Sequence, residues 1–238
     1  GSRSSQMGGV AVKRACAAVM EDAGDVAAEL LQAPRESVTY AEGVFATTAN
    51  ASQATLEQVA RAASEPQFGG AGLTKTLRSD RGGGFTFPNG CHVAHVAVDP
   101  DTGVVEGLSY TAVDDCGRVI NPLLAGGQVH GGVAMGIGQA LLEHAVYDAD
   151  GQLVSGSLMD YAMPRAVHLS DIDVSFNEVL DPNNELGVKG IGEGGACGAP
   201  PAVVNAVINA LEPLGVTSLD MPLTSEVVWR AIHNSARP

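Results

Sequence analysis

The sequence predicts an α+β protein in two subdomains, with helices and mixed or antiparallel sheets. Three observations point there. Short runs with period-two alternation are joined by tight turns, which pairs neighbouring strands antiparallel. Longer runs carry apolar residues at helical spacing. Between two such groups, residues 66–84 are rich in Gly and Ser with scattered charge (Lys75, Arg78, Asp80, Arg81), the composition of a linker or partner-facing loop. The predicted organisation is residues 1–66 as an N-terminal α+β part, 67–84 as the linker and 85–238 as the C-terminal part.

The first predicted helix spans residues 8–31, where Ala11, Ala15, Val19, Ala23, Val26 and Leu30 recur at helical spacing and Gly24 weakens the middle. Residues 38–46 alternate around Glu42-Gly43, a hairpin signature, and a short amphipathic helix follows at 55–63. Residues 92–98 and 104–114 alternate as strands about Asp99-Pro100-Asp101-Thr102-Gly103, whose residue types favour a turn. Asp115 to Pro122 leaves the sheet. Residues 123–142 read as a helix despite many glycines, each of which costs up to ~1 kcal/mol in a helix interior. So many glycines imply a close approach, either of a neighbouring helix or of a bound ligand. Residues 145–154 read as a further hairpin turning at Asp148-Ala149-Asp150-Gly151. Asp160-Tyr161-Ala162-Met163-Pro164-Arg165 is a polar-aromatic segment ending at a proline, and 172–176 alternate as a strand. An Ala/Val-rich helix is expected from Ala202 to Leu211, entered through Pro200 and Pro201, which suit a first helical turn. The last helix runs over 225–234 with Thr224 as N-cap and Glu226 in the first turn.

Composition narrows the function classes. A net charge of −14 argues against nucleic acid and against anionic membrane surfaces, and 4% aromatics leave few stacking platforms for bases. Hydrophobic residues at 45% allow a sizeable core. Cys16, Cys91, Cys116 and Cys197 show no CxxC spacing, the usage of a reducing, cytoplasmic compartment without a zinc ribbon or disulfide framework. No apolar run reaches the length of a transmembrane helix and no signal peptide is visible. The opening Gly1-Ser2-Arg3-Ser4-Ser5 reads like the middle of a protein.

One stretch stands out chemically: Lys189-Gly190-Ile191-Gly192-Glu193-Gly194-Gly195-Ala196-Cys197-Gly198-Ala199-Pro200-Pro201, with five glycines and a single carboxylate. Such a loop delivers Glu193 to a surface and then enters a helix, and its free N–H groups favour an anionic ligand. A carboxylate beside a negative ligand gains proton affinity. The same letters fit the dinucleotide fingerprint at Gly190, Gly192 and Gly195, but that motif needs a buried strand before it, and Leu180-Asp181-Pro182-Asn183-Asn184-Glu185 is turn-rich and polar. A solvated glutamate in a plain glycine-rich connection is the bland alternative. His92 and His95 could suggest a metal, but three residues apart on a strand they face opposite ways. Cys197 is a nucleophile candidate with no His close in sequence, and His130 beside Gln128 serves either a ligand or packing.

Several ordered motifs carry a resemblance. Gly127-Gln128-Val129-His130-Gly131-Gly132-Val133-Ala134-Met135-Gly136-Ile137-Gly138-Gln139-Ala140-Leu141 resembles the segment of the xanthine dehydrogenase / aldehyde oxidase family that lies against molybdopterin, and Lys189 to Gly195 resembles that family's catalytic loop. Asp115 to Pro122, Asp160-Tyr161-x-x-Pro164 and Gly198 to Val207 match in the same order, and Gly1 to Ser4 with Gly8-Gly9 is similar to the segment after the family's GQG loop. The similarity is greatest to bacterial large subunits, as in carbon monoxide dehydrogenase and N-heterocycle hydroxylases.

The resemblance implies a fold of the molybdenum-cofactor-binding type and a set of roles. Glu193 would be the general base. Gln128, Gly1, Ser2, Gly192 and Lys189 would contact or orient the cofactor, with no protein ligand to the metal itself. The cofactor would be molybdopterin cytosine dinucleotide with molybdenum, oxidising a small carbonyl, N-heterocyclic or carbon monoxide-type substrate with water as oxygen source. The family's large subunit is several times longer, so the chain would be its C-terminal portion, working with the upstream half of that subunit. A partner iron–sulfur subunit with [2Fe-2S] clusters and a partner FAD subunit would take the electrons. A non-catalytic subunit packing on a partner, and a flavin or nicotinamide binder, are the alternatives.

Overall fold

The computed structural model describes residues 3–78 and 84–235. Two compact units divide the chain, Ser4–Gly82 and Gly83–Pro238, the latter taking in Gly1–Arg3.

The first unit opens with a π-helical stretch, Ser4–Gly9, that runs into α1, Val10–Leu30. β1 (Val38–Ala41), β2 (Val44–Thr47) and β3 (Gln53–Thr55) form an antiparallel sheet in chain order. The β1–β2 turn is Glu42-Gly43, both at positive φ (48° and 85°), the mirror-image turn that matches strand twist. α2, Leu56–Ala62, starts at a capping box: Gln58 N–H donates to Thr55 Oγ1, and the Gln58 side chain takes the Thr55 N–H. Ala23, Ala27, Phe45 and Val59 form the centre of this core. Gly24 has a specific cause, because the Arg35 guanidinium crosses α1 where a Cβ would stand and reaches Asp25 at 3.1 Å. Leu73 packs against this core and Lys75 pairs with Asp22 at 2.9 Å, so the segment after α2 lies on the first unit.

The second unit is built on the sheet β4-β5-β6. β4 (Asn89–Val98) and β5 (Val105–Asp115) pair antiparallel with a bulge at His95/Val96, and β6 (Ile172–Phe176) pairs parallel to β5. A parallel pair needs a crossover, and α3, Pro122–Leu141, lies within it. α4, Gly194–Leu211, packs on α3 and on β4. α5, Ser225–Ser235, closes one end by packing its Val228 with Val207, Leu211 and Leu223, with Thr224 Oγ1 accepting from Val227 N–H at 3.4 Å. The mixed sheets and helices match the α+β expectation.

One expectation is narrowed and one corrected. Residues 145–154 turn back at Asp148 to Gly151 as expected, with Val154 N–H donating to Val146 O at 2.8 Å and Asp148 N–H to Gln152 O at 3.0 Å, but the pairing stops at a single bridge, Tyr147–Leu153, too short for strands. The prolines do not open α4, because the helix begins at Gly194 and holds Pro200 and Pro201 inside it. Glycines 194, 195 and 198 have poor helix propensity, but packing against α3 at Gly195 and against the strands at Gly194 and Gly198 makes them helical. Gly195 lies so close to Val129 and Val133 backbone that a Cβ would stand 2.5 Å from Val129 O. Tertiary contact overrides propensity here.

Candidate functional site

The site is assembled from the turn after β5, the outer face of α3 and the loop into α4. β5 ends in two buried carboxylates, Asp114 and Asp115. After them Gly117, at φ 65°, comes so close to Gly187 O that no side chain fits. The returning segment is zipped to this turn: Arg118 N–H donates to Gly187 O at 2.9 Å and Lys189 N–H to Cys116 O at 2.7 Å. Asn184 brackets Val188, donating to its carbonyl and accepting from its N–H.

Lys189 completes the anchor. Its ammonium lies 2.5 Å from Asp115 Oδ2, with both side chains at most 10% exposed. Asp115 Oδ1 accepts from the N–H groups of Gly117 (2.8 Å) and Val179 (3.2 Å). Burial pushes the Asp115 carboxyl up, but the Lys189 hydrogen bond and charge with the two N–H donors outweigh it and hold it below the usual carboxylate range. Lys189 is thus committed inside the fold as an anchor of the loop, four residues before Glu193.

Glu193 is exposed at the N-cap of α4, with no side-chain cap bond of its own. The Cys197 N–H donates to its backbone carbonyl at 2.9 Å. Gln128 of α3 reaches across and donates from Nε2 to Gly192 O at 2.8 Å, so α3 and the loop form one surface. His130 is turned to structure: Nδ1 faces Gly126 O at 2.8 Å and Nε2 faces Ile172 O at 3.1 Å, stitching α3 to β6.

The glycines of α3 resolve into two sets. A Cβ on Gly136 would stand 2.6 Å from Ala199 Cβ and 2.8 Å from Pro200 Cδ, and one on Gly132 would stand 2.8 Å from Ala196 N. Gly138 is equally tight against Pro164. Gly126, Gly127 and Gly131 have nothing within 4 Å of that position. Packing on α4 explains Gly132 and Gly136, and the Pro164 segment explains Gly138. The second set leaves bare backbone beside Gln128, a face that a flat ligand can approach closely.

Sequence reasoning missed a buried network under α4. His92 Nδ1 lies 2.8 Å from Tyr110 Oη and Nε2 lies 3.2 Å from Asp114 Oδ1. Period two would have found it, since His92, Ala94, Val96 and Val98 share the inward register of β4. His95 faces away from this network, and among the described residues no three His, Cys, Asp or Glu side chains converge as metal ligands. Cys197 is exposed on α4, but the imidazole that meets this helix, His92 at Gly198, has both nitrogens engaged. Gly1 and Ser2 lie outside the described residues. The segment before the loop is a run of turns, not a strand, so the dinucleotide fingerprint lacks its context.

The comparisons now fit this geometry. The family described as "Molybdopterin cofactor-binding domain" matches residues 1–170. The nicotine 6-hydroxylase large subunit of Paenarthrobacter nicotinovorans is 36% identical over 97% of this chain and 29% of its own length. Quinoline 2-oxidoreductase from Pseudomonas putida 86 superposes with TM-score 0.83 at 34% identity, over 100% of this chain and 30% of its own. Carbon monoxide dehydrogenase from Oligotropha carboxidovorans gives TM-score 0.88 at 28% identity, over 98% and 29%. The chain belongs to the molybdopterin cofactor-binding domain family, as the motif resemblance implied, and it spans less than a third of the length of these relatives.

The residues present fit such a group. The open glycine face offers close backbone approach, the Gln128 amide oxygen remains available beside it, and the positive end of α4 suits an anionic ligand.

Proposed function

We propose that this chain forms one wall of a molybdenum hydroxylase active site, with Glu193 as general base. The observation that carries the reading is the exposed carboxylate at the edge of the bare glycine face, on a loop that Gln128 and the Lys189–Asp115 pair hold from both sides. Gly126, Gly127 and Gly131 admit the cofactor against α3, while Gln128 orients it and steadies Gly192. The bound molybdenum cofactor supplies the two-electron oxidation and the water-derived oxygen. With that group bound, Glu193 would act as the proton acceptor, taking the proton on a carboxylate oxygen, a role worth about 10²- to 10⁴-fold in rate.

The cytosine dinucleotide form of the cofactor, with Gly1 and Ser2 near it, is part of the proposal and rests on the bacterial relatives. So are a cytoplasmic location, an upstream half of the large subunit, and partner subunits carrying [2Fe-2S] clusters and FAD. Two of the relatives named above act on aromatic N-heterocycles by their names, nicotine and quinoline. A small N-heterocycle is therefore the first substrate class to try. Among the described residues no helix is long and apolar enough to cross a membrane.

The test is Glu193→Gln in the assembled enzyme. Turnover should fall by at least ~100-fold with molybdenum and released CMP still stoichiometric. Near-normal turnover at full molybdenum content would sink the assignment.

A further inference from the structure

His92 is directly opposite Ala112 on β5, flanked diagonally by Tyr110 and Asp114. The small Ala112 leaves the imidazole room to bond both neighbours, in edge-to-face contact with the Tyr110 ring at 5.7 Å. All three side chains are nearly inaccessible: Tyr110 is 2% exposed, and the side chains of His92 and Asp114 are 6% and 5%. Burial, and secondarily the Asp114 charge, push Tyr110 ionisation far up, so its hydroxyl keeps its proton. A carboxylate only accepts, so Nε2 carries a proton toward Asp114 Oδ1, and in the neutral ring Nδ1 then accepts from the Tyr110 hydroxyl. The order of groups is that of a hydrolase triad, but a hydroxyl with 2% exposure cannot meet a substrate.

The surroundings show what the network serves. Among the described residues Asp114 Oδ2 is buried without a partner. The Cβ position of Gly194 lies 3.8 Å from both Asp114 oxygens, and that of Gly198 lies 2.5 Å from His92 Nδ1. Gly90, facing Asp114 across the strands, has no room for a Cβ for the same reason. So the first two turns of α4 rest on the imidazole and the carboxylate, and the negative charge sits beneath the positive end of the helix. These turns support themselves poorly, because Pro200 and Pro201 remove the N–H donors to the carbonyls of Ala196 and Cys197.

We infer that Tyr110–His92–Asp114 is the seat of α4, and that His92 and Asp114 are positioning residues for Glu193. The inference rests on the general-base reading for its functional consequence. Glu193 has no cap bond to fix it, so its reach follows the turns that begin at Gly194. A misplacement near 1 Å costs about 100-fold in rate without touching the substrate.

The experiment uses the assembled enzyme with four variants, His92→Phe, His92→Gln, Asp114→Asn and Glu193→Gln. Each is measured for molybdenum content, kcat, KM and hydrogen exchange of amides 194–199. His92→Phe keeps the ring volume and loses both bonds, whereas His92→Gln retains a donor toward Asp114. His92→Phe and Asp114→Asn should lower kcat by about 30- to 100-fold with KM within about twofold and molybdenum intact. They should also speed exchange at 194–199 by about tenfold. His92→Gln should recover most of both. Unchanged exchange in His92→Phe and Asp114→Asn, or a kcat loss that follows lost molybdenum, overturns the seat. Glu193→Gln should lose turnover with normal exchange. If it keeps turnover the general-base reading falls, and the exchange data still decide whether the seat exists.

Discussion

α3 has a closed side and an open side made from the same residue type. Gly132, Gly136 and Gly138 are there because another chain segment occupies the volume of a side chain; Gly126, Gly127 and Gly131 are there with that volume empty. The open side ends in Glu193 and Gln128, both exposed, on a loop that a buried ion pair anchors at the end of β5. A glycine-rich helix is therefore not one signal. Its inner glycines set how near α4 lies, and its outer ones set how near a ligand can come. Substitution separates the two, because the same Gly→Ala change has opposite consequences on the two sides.

The largest effect should come from the buried anchor of the loop. Lys189→Met leaves Asp115 buried without its cation and should destabilise by about 3–5 kcal/mol, measured by urea unfolding with Trp229 fluorescence, the chain having a single tryptophan. A change below ~1 kcal/mol would mean that the pair adds nothing beyond a surface contact. Next comes Gly136→Ala, where the new methyl meets Ala199 and Pro200; the expected loss is about 1–3 kcal/mol in the same assay.

Acid should expose the same pair. The folded Asp115 carboxyl titrates below its unfolded value near ~4, so its contribution is fully present above that value and is lost as pH falls through the lowered folded one. Unfolding free energy measured from pH ~6 down to ~2.5 should drop in this lower range, and Asp115→Asn should flatten the drop. An identical slope in both proteins would remove Asp115 from the acid transition. The smallest stability effect belongs to Gly127→Ala on the open side. It should leave stability unchanged or raise it by up to ~1 kcal/mol, because alanine is the better helix former. It should nonetheless reduce molybdenum content in the assembled enzyme, since the methyl stands where the ligand would approach. Full molybdenum retention would show that this face is not the contact surface.

Much of the framework was legible because local chemistry agrees with the fold. Helical spacing marked α2, to which the structure adds the Thr55–Gln58 capping box; α3 was read one residue late, its Asn121 cap and Pro122 start unnoticed; and Asp99 to Gly103 turns the long hairpin as its residues imply. The site loop was legible in its residues and its exposure but not in its boundaries. Prolines ordinarily mark a helix start, and nothing local reveals that α3 makes a helix of the glycines before them. The role of His92 was missed for a related reason. Opposite faces rightly separated it from His95, but its partners Tyr110 and Asp114 are 18 and 22 residues away and become neighbours only through strand pairing. The turn within 145–154 was legible from Asp148 to Gly151, but no neighbouring strand extends its single bridge into a ladder.

The two prolines inside α4 have one more consequence. They divide the helix into a long C-terminal stretch with its own amide ladder and a short leading stretch whose geometry is dictated by what it touches. Adjusting the reach of the glutamate is then a task for directed change outside the helix that bears it. Substitutions in α3 or at the strand residues beneath, for instance at Gly132 or Gly90, would retune the tip, while changes at Val203 or Val207 would alter the shaft and leave the tip where it was.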